Sequence, residues 1–84
     1  MKEHSENMIH HIRREVIRRE DLQIDENTPL VSSGLIDSFA LVDILFQLED
    51  VTGLRIPAGK VQPKDMDTVR LMLETAQRVG KPRR

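Results

Sequence analysis

The chain has 84 residues, 13 of them Lys or Arg and 14 Asp or Glu, for a net charge of -1, so it makes one small domain that buries only roughly 60 to 65 per cent of its unfolded surface. It has no Cys, Trp or Tyr, and its aromatics are Phe39 and Phe46. This excludes disulfides, thiolate metal sites and cysteine nucleophiles and leaves little for stacking on single-stranded nucleic acid.

Charge is unevenly spread. Asp21, Asp25, Glu26, Asp37, Asp43, Glu49 and Asp50 occupy a stretch from Asp21 to Leu54 that holds no Lys or Arg, while the flanks hold all 13 cations, with Arg13, Arg14, Arg18 and Arg19 on one side and Arg55 through Arg84 on the other. An acidic block of this kind suits a basic partner, although a solvated face accounts for charge alone. No segment nears the roughly 18 consecutive apolar residues of a membrane span, and Met1 to Ile12 is too charged for a signal peptide. The expectation is a cytoplasmic protein without stable membrane insertion.

Met8, Ile9, Ile12, Val16 and Ile17 recur at three- and four-residue spacing, which predicts an amphipathic helix from Ser5, as N-cap, to Arg19. Glu20 to Asp37 breaks the periodicity. Asn27, Pro29, Gly34 and two serines mark a long loop, with Ser32-Ser33-Gly34 as a flexible stretch and Leu22, Ile24, Leu30 and Val31 as anchors to the core. A loop this long in so small a domain is a sign of function. Asp37 is placed to cap a second helix over Ser38 to Val51, which Gly53 ends. Pro57, Gly59 and Pro63 keep Leu54 to Pro63 from long regular structure, leaving one short helical turn at Val61 to Asp65. Asp67 or Thr68 caps a last helix to about Val79, which buries Val69, Met72, Leu73 and Ala76 and stops at Gly80 and Pro82. Residues 1–80 thus read as a single domain and 81–84 as a basic, disordered tail. No strand alternation is present, so the fold class is all-α: three main helices plus a short one.

The second helix is more apolar than one buried stripe requires. At 100 degrees per residue, Leu41, Ile44, Leu45, Leu48 and Val51 fall within an arc of roughly 120 degrees and form the core face. Phe39, Val42 and Phe46 lie opposite, interleaved with Asp43, Glu49 and Asp50. Apolar residues at i, i+3 and i+7 rimmed by acids form either a protein-binding surface or a face covered by a neighbouring element. Ser38 begins this helix. Unpaired amides and the positive end of the helix dipole would favour a phosphate esterified to its hydroxyl, although capping is the commoner use of a serine at such a place.

The run Leu30-Val31-x-x-Gly34-Leu35-Ile36-Asp37-Ser38-Phe39-x-x-Val42-Asp43-x-x-x-x-Leu48-Glu49, followed by Gly53-Leu54-x-Ile56-Pro57, resembles the phosphopantetheine attachment region of acyl carrier proteins. The resemblance extends from about Leu30 to Val79 and implies a small four-helix bundle of acyl-carrier type. It also implies that Ser38 receives 4'-phosphopantetheine from coenzyme A through a separate, magnesium-using phosphopantetheinyl transferase. Asp37 matches the family's acidic residue beside that serine, for transferase recognition. Phe39, Val42, Asp43, Phe46, Glu49 and Asp50 fall on the family's partner-recognition surface. Two residues separate Gly34 from Asp37, where fatty-acid carriers usually have one; this spacing is closer to the D-alanyl carrier proteins. Those share the stretch ending in Asp67-Thr68, but Val61 and Met66 stand where they tend to have aromatics.

The function implied is that of a stand-alone acyl or aminoacyl carrier, a monomer that holds its cargo as a thioester on the prosthetic arm. An acyl- or amino-acid-activating enzyme loads it, and a downstream transferase or synthase receives the cargo. Such a protein is no enzyme. No catalytic residue and no metal site are expected: there is no Ser-His-Asp arrangement, and His4, His10 and His11 lack the i, i+4 spacing of a helical metal site and read as solvated. The alternative is a non-catalytic helical protein-interaction or nucleic-acid-binding module that uses the basic flanks. The acidic middle argues against a nucleic-acid partner.

Overall fold

The computed structural model describes residues 2–82. Its first helix, α1, is Lys2–His11, and it continues without a break into a π-helical turn, Ile12–Val16. Helix α2 is Ala40–Thr52 and helix α3 is Val69–Val79. Two 3₁₀ turns, Ala58–Lys60 and Pro63–Met66, lie between α2 and α3, so the expected single short turn is two. The chain packs to a radius of gyration of 11.7 Å, close to the value of about 12 Å that a compact chain of this length adopts.

All three helices meet in one core. Met8 and Ile12 come from the first helical segment, Leu41, Ile44 and Leu48 from α2, and Val69, Met72, Leu73 and Ala76 from α3. Leu30 and Ile36 enter from the long loop, and Ile56 and Met66 from the stretch between α2 and α3. Leu45 and Val51, read as core from the helical wheel, are half-buried and pack at its edge. Leu22 is half-buried without joining this cluster, so of the four expected loop anchors Ile24, Leu30 and Val31 reach the core.

Ser5 does not cap the first helix. The helix is already formed at Lys2, three residues earlier, and Ser5 is buried within it, its hydroxyl donating to Glu26 Oε2 at 3.1 Å. At the other end Ile17 N donates to Ile12 O at 2.8 Å, an i→i+5 bond that widens the turn by one residue. Arg18 then adopts a left-handed conformation (φ 61) and stops the helix, at the cost of roughly 1–2 kcal/mol that a β-carbon imposes there.

Helix α2 ends as its sequence predicts: Gly53 takes φ 71 and its amide donates to Glu49 O, the left-handed position where a side chain is disfavoured. The chain then makes a two-residue strand, β1 (Leu54–Arg55), paired antiparallel with β2 (Lys81–Pro82), Leu54 opposite Pro82 and Arg55 opposite Lys81. The expected disordered tail therefore starts with two residues tied into a ladder; strands this short carry no alternation to read. Arg83 and Arg84 lie outside the described residues. Among the described residues no helix is long and apolar enough to cross a membrane.

Thr68 caps α3, its Oγ1 accepting the Leu71 amide at 3.0 Å. Thr68→Ala is expected to remove about 1 kcal/mol of stability and to lower the melting temperature by roughly 4–8 °C, read by circular dichroism, with Thr68→Ser close to the parent.

Candidate functional site

The second helix opens with a tight turn that positions Ser38. The Asp37 carboxylate accepts the Ala40 amide at 3.0 Å, the Asp37 carbonyl accepts the same amide at 3.2 Å, and the carbonyls of Ser38 and Phe39 accept the amides of Leu41 and Val42. These i→i+3 bonds wind the start of the helix as 3₁₀ before regular α-helix begins at Ala40. Asp37 therefore caps this opening turn, and the regular helix begins at Ala40, two residues after the expected start at Ser38. Ser38 and Asp37 are both exposed.

What holds this turn in place is the loop before it. Asp67, just after the second 3₁₀ turn, accepts the amides of Val31 and Ser32 on Oδ1, each at 2.8 Å, and the Ser32 hydroxyl on Oδ2 at 2.8 Å. The Asp67 carbonyl accepts the Leu30 amide at 2.7 Å. The Ser33 hydroxyl donates to Pro29 O at 2.7 Å, and Ile36 N donates to Leu30 O at 3.1 Å. Gly34 completes the curl with φ 82, a conformation that side chains resist. The stretch Ser32-Ser33-Gly34, expected to be flexible, is bonded at nearly every step. Sequence reading recognised Asp67 only as a candidate cap; its bonds to residues 35 and 36 positions away leave no local signature.

These bonds hold the Asp67 carboxyl below its ordinary range, chiefly through the Ser32 amide, with the Ser32 hydroxyl and the Val31 and Leu30 amides adding to it and burial opposing. A carboxylate with a lowered folded-state pKa contributes stability that is complete above the unfolded value of about 4 and is lost as pH falls through the folded value. Acid unfolding followed from pH 5 downward is therefore expected to be less steep in Asp67→Asn than in the parent.

Beyond Ser38 the two faces of α2 separate as the helical wheel predicts. Leu41, Ile44 and Leu48 are buried, whereas Phe39 is 87% exposed, Val42 58% and Phe46 66%. Among the described residues no neighbouring helix or loop covers the second face. The acids beside it are placed differently from one another. Glu49 is half-buried and folds back, its Oε2 accepting the Ile56 amide at 2.8 Å. Asp43 is exposed and lies 2.9 Å from His11 Nε2. Asp50 lines an open cleft between α1 and α2, together with His10, His11 and Arg14. His11, read as solvated from sequence, is only 17% exposed, because α1 packs beside α2 and brings its last turn over Asp43. Among the described residues no group of three or more His, Cys, Asp or Glu could hold a metal ion.

An exposed serine at the start of a helix, carried on a bonded loop and followed by an uncovered apolar face, can accept a bulky group on its hydroxyl without disturbing the core. The residues fit a phosphate ester there: the end of a helix dipole favours the anion, and the chain, with no Cys, has no thiol of its own. No solved structure matches the chain. The family model described as the phosphopantetheine attachment site matches residues 9–75, which takes in the end of α1, the loop that carries Ser38, the whole of α2 and most of α3. Members of that family carry 4'-phosphopantetheine covalently on a serine. The chain belongs to the phosphopantetheine-binding family and is a carrier protein.

Proposed function

We propose that this carrier holds an acyl or aminoacyl group on a 4'-phosphopantetheine arm attached to Ser38 and passes it between enzymes, without catalysing a reaction itself. The observation that carries the reading is the exposure of Ser38 in the opening turn of α2, beside the uncovered Phe39. In the loading step the Ser38 Oγ forms a bond to the phosphorus nearer the pantetheine in coenzyme A. The phosphorus–oxygen bond to adenosine 3',5'-bisphosphate breaks, and the hydroxyl proton leaves to a base of the transferase. Once attached, the arm supplies the thiol that the chain lacks, and that thiol carries the cargo.

The protein's own residues have three tasks in this reading. Asp37 caps the turn and offers an acid beside the serine for transferase recognition. The loop bonded to Asp67 fixes where the turn sits. Phe39, Val42 and Phe46, with Asp43, Glu49 and Asp50 alongside, form the side of α2 against which a phosphopantetheinyl transferase, an activating enzyme and a downstream acceptor dock in turn. Such docking must be weak and fast, since one face releases each partner to the next. Incubation with coenzyme A, magnesium and a broad-specificity phosphopantetheinyl transferase is expected to add one phosphopantetheine to the intact mass. A folded sample that gains nothing contradicts the reading.

A further inference from the structure

We infer that the end of the molecule built from β1, β2, the second 3₁₀ turn and the close of α3 rests on an anionic lipid surface, held by its cations and without insertion. The inference goes beyond the carrier reading and does not depend on it.

The fold gathers the basic residues that follow α2 and brings them together. In the β1–β2 ladder Arg55 stands directly opposite Lys81, and like charges so placed weaken the pairing. Arg78, on the last turn of α3, lies 3.8 Å from Asp65, whose chain neighbour is Lys64. Thr75 Oγ1 donates to the Asp65 carbonyl at 3.2 Å and ties that turn to α3. Lys60 ends the other 3₁₀ turn, between β1 and this one. Arg55, Lys60, Lys64, Arg78 and Lys81 are all exposed. Asp65 beside Arg78, and Glu49 on the Ile56 amide beside Arg55, offset part of the charge. Even so, Arg55, Lys60, Lys64 and Lys81 have no ion pair among the described residues. An anionic surface relieves the repulsion across the ladder.

The form of this end favours lipid over nucleic acid. A groove of duplex DNA admits a helix or a two-stranded ribbon, but the ladder has two residues per strand, and of the five cations Arg78 alone stands on an α-helix. Phe39 and Phe46, the aromatics that could stack on bases, lie outside it. Clusters of roughly four to eight Lys or Arg are what an anionic leaflet attracts. Ser38 precedes α2 and β1 follows it, and 13 helical residues separate them by about 20 Å. A surface that meets the ladder therefore leaves the serine clear.

The test is co-sedimentation at low salt with vesicles of phosphatidylcholine alone and of equal parts phosphatidylcholine and phosphatidylglycerol. It compares the parent, Arg55→Gln/Lys81→Gln and Arg18→Gln/Arg19→Gln. The second pair removes the same charge from the other end: His11 meets Asp43 early in α2, whereas Asn7 shares a cleft with Val51 near its close, so the first helix runs toward the Ser38 end. All four side chains are exposed, and thermal melting checks that the variants remain folded. The parent is expected to bind the anionic vesicles and not the neutral ones, and to be released by salt. Arg55→Gln/Lys81→Gln is expected to lower the partition coefficient roughly 10- to 30-fold, at about fivefold for each cation, and Arg18→Gln/Arg19→Gln by less than about threefold. A parent that stays in solution with the anionic vesicles overturns the inference. So does an equal loss in both double variants, since net charge and not this end is then the cause. Binding to duplex DNA at the same salt, lost in Arg55→Gln/Lys81→Gln and without binding to either vesicle, overturns it in favour of a nucleic acid.

Discussion

Asp67→Ala is expected to destabilise the protein by about 2–3 kcal/mol, because three hydrogen bonds to one carboxylate are lost together and each is worth about 1.5–3 kcal/mol before overlap. In a domain of this size that lowers the melting temperature by roughly 10–20 °C. The loss falls on the loop of residues 30–36, whose backbone leads straight into the Ser38 turn. The Val31 and Ser32 amides and the Ser32 hydroxyl lose their acceptor at once. Urea unfolding followed by circular dichroism measures the stability, and the rate of phosphopantetheine addition to the folded variant, expected to be slower than in the parent, reports on the turn. Asp67→Asn keeps one acceptor oxygen and is expected to fall between the two.

The second large effect belongs to the core face of α2. Leu48 is fully buried in the core that α2 shares with α1 and α3, and Leu48→Ala is expected to cost about 2–5 kcal/mol through lost transfer energy and the cavity left behind. For a chain of this length, with a total stability of roughly 4–13 kcal/mol, that is a large share. The urea midpoint should fall with little change in slope. Phe46, two residues earlier but on the opposite face, provides the contrast: its truncation is expected to leave the midpoint nearly unmoved. One helix thus separates the residues that hold the fold from those that stay exposed, the face on which the proposed docking would occur.

Much of this division was legible in the sequence, because it depends on rules that act within a few residues. The 3.6-residue period of α2 distinguishes Leu41, Ile44 and Leu48 from Phe39, Val42 and Phe46 without any knowledge of the neighbours. The Asp37 and Thr68 caps and the Gly53 stop are likewise local; Thr68 and Gly53 stand where those rules put them, and Asp37 caps the turn that leads into α2. The order of residues around Ser38 carried the family resemblance, which the match over residues 9–75 supports.

What escaped was set by assembly. The Asp67 clamp, the His11–Asp43 contact and the turn of Glu49 toward Ile56 join side chains to groups that are near only once the helices have packed. A polar residue in a sequence does not reveal which distant amide it will meet. The acids between Asp21 and Leu54 read as one block of charge, yet Asp37, Asp43 and Glu49 each bond to a different part of the chain. The β1–β2 ladder escaped for a simpler reason: two residues per strand give no period, and Pro82 argues against a strand by its own chemistry. The π turn at Ile12–Val16 keeps the apolar spacing of a helix while shifting its hydrogen bonds, so periodicity alone predicted a plain α-helix there.

The most direct test of the central claim is intact mass after incubation with coenzyme A, magnesium and a broad-specificity transferase, run on the parent, Ser38→Ala, Ser32→Ala and Ser33→Ala, with the modified peptide then sequenced by tandem mass spectrometry. Ser38 as the attachment point predicts one added phosphopantetheine in the parent and in both loop-serine variants, none in Ser38→Ala, and the modification on Ser38 itself; a gain that persists in a folded Ser38→Ala would contradict it.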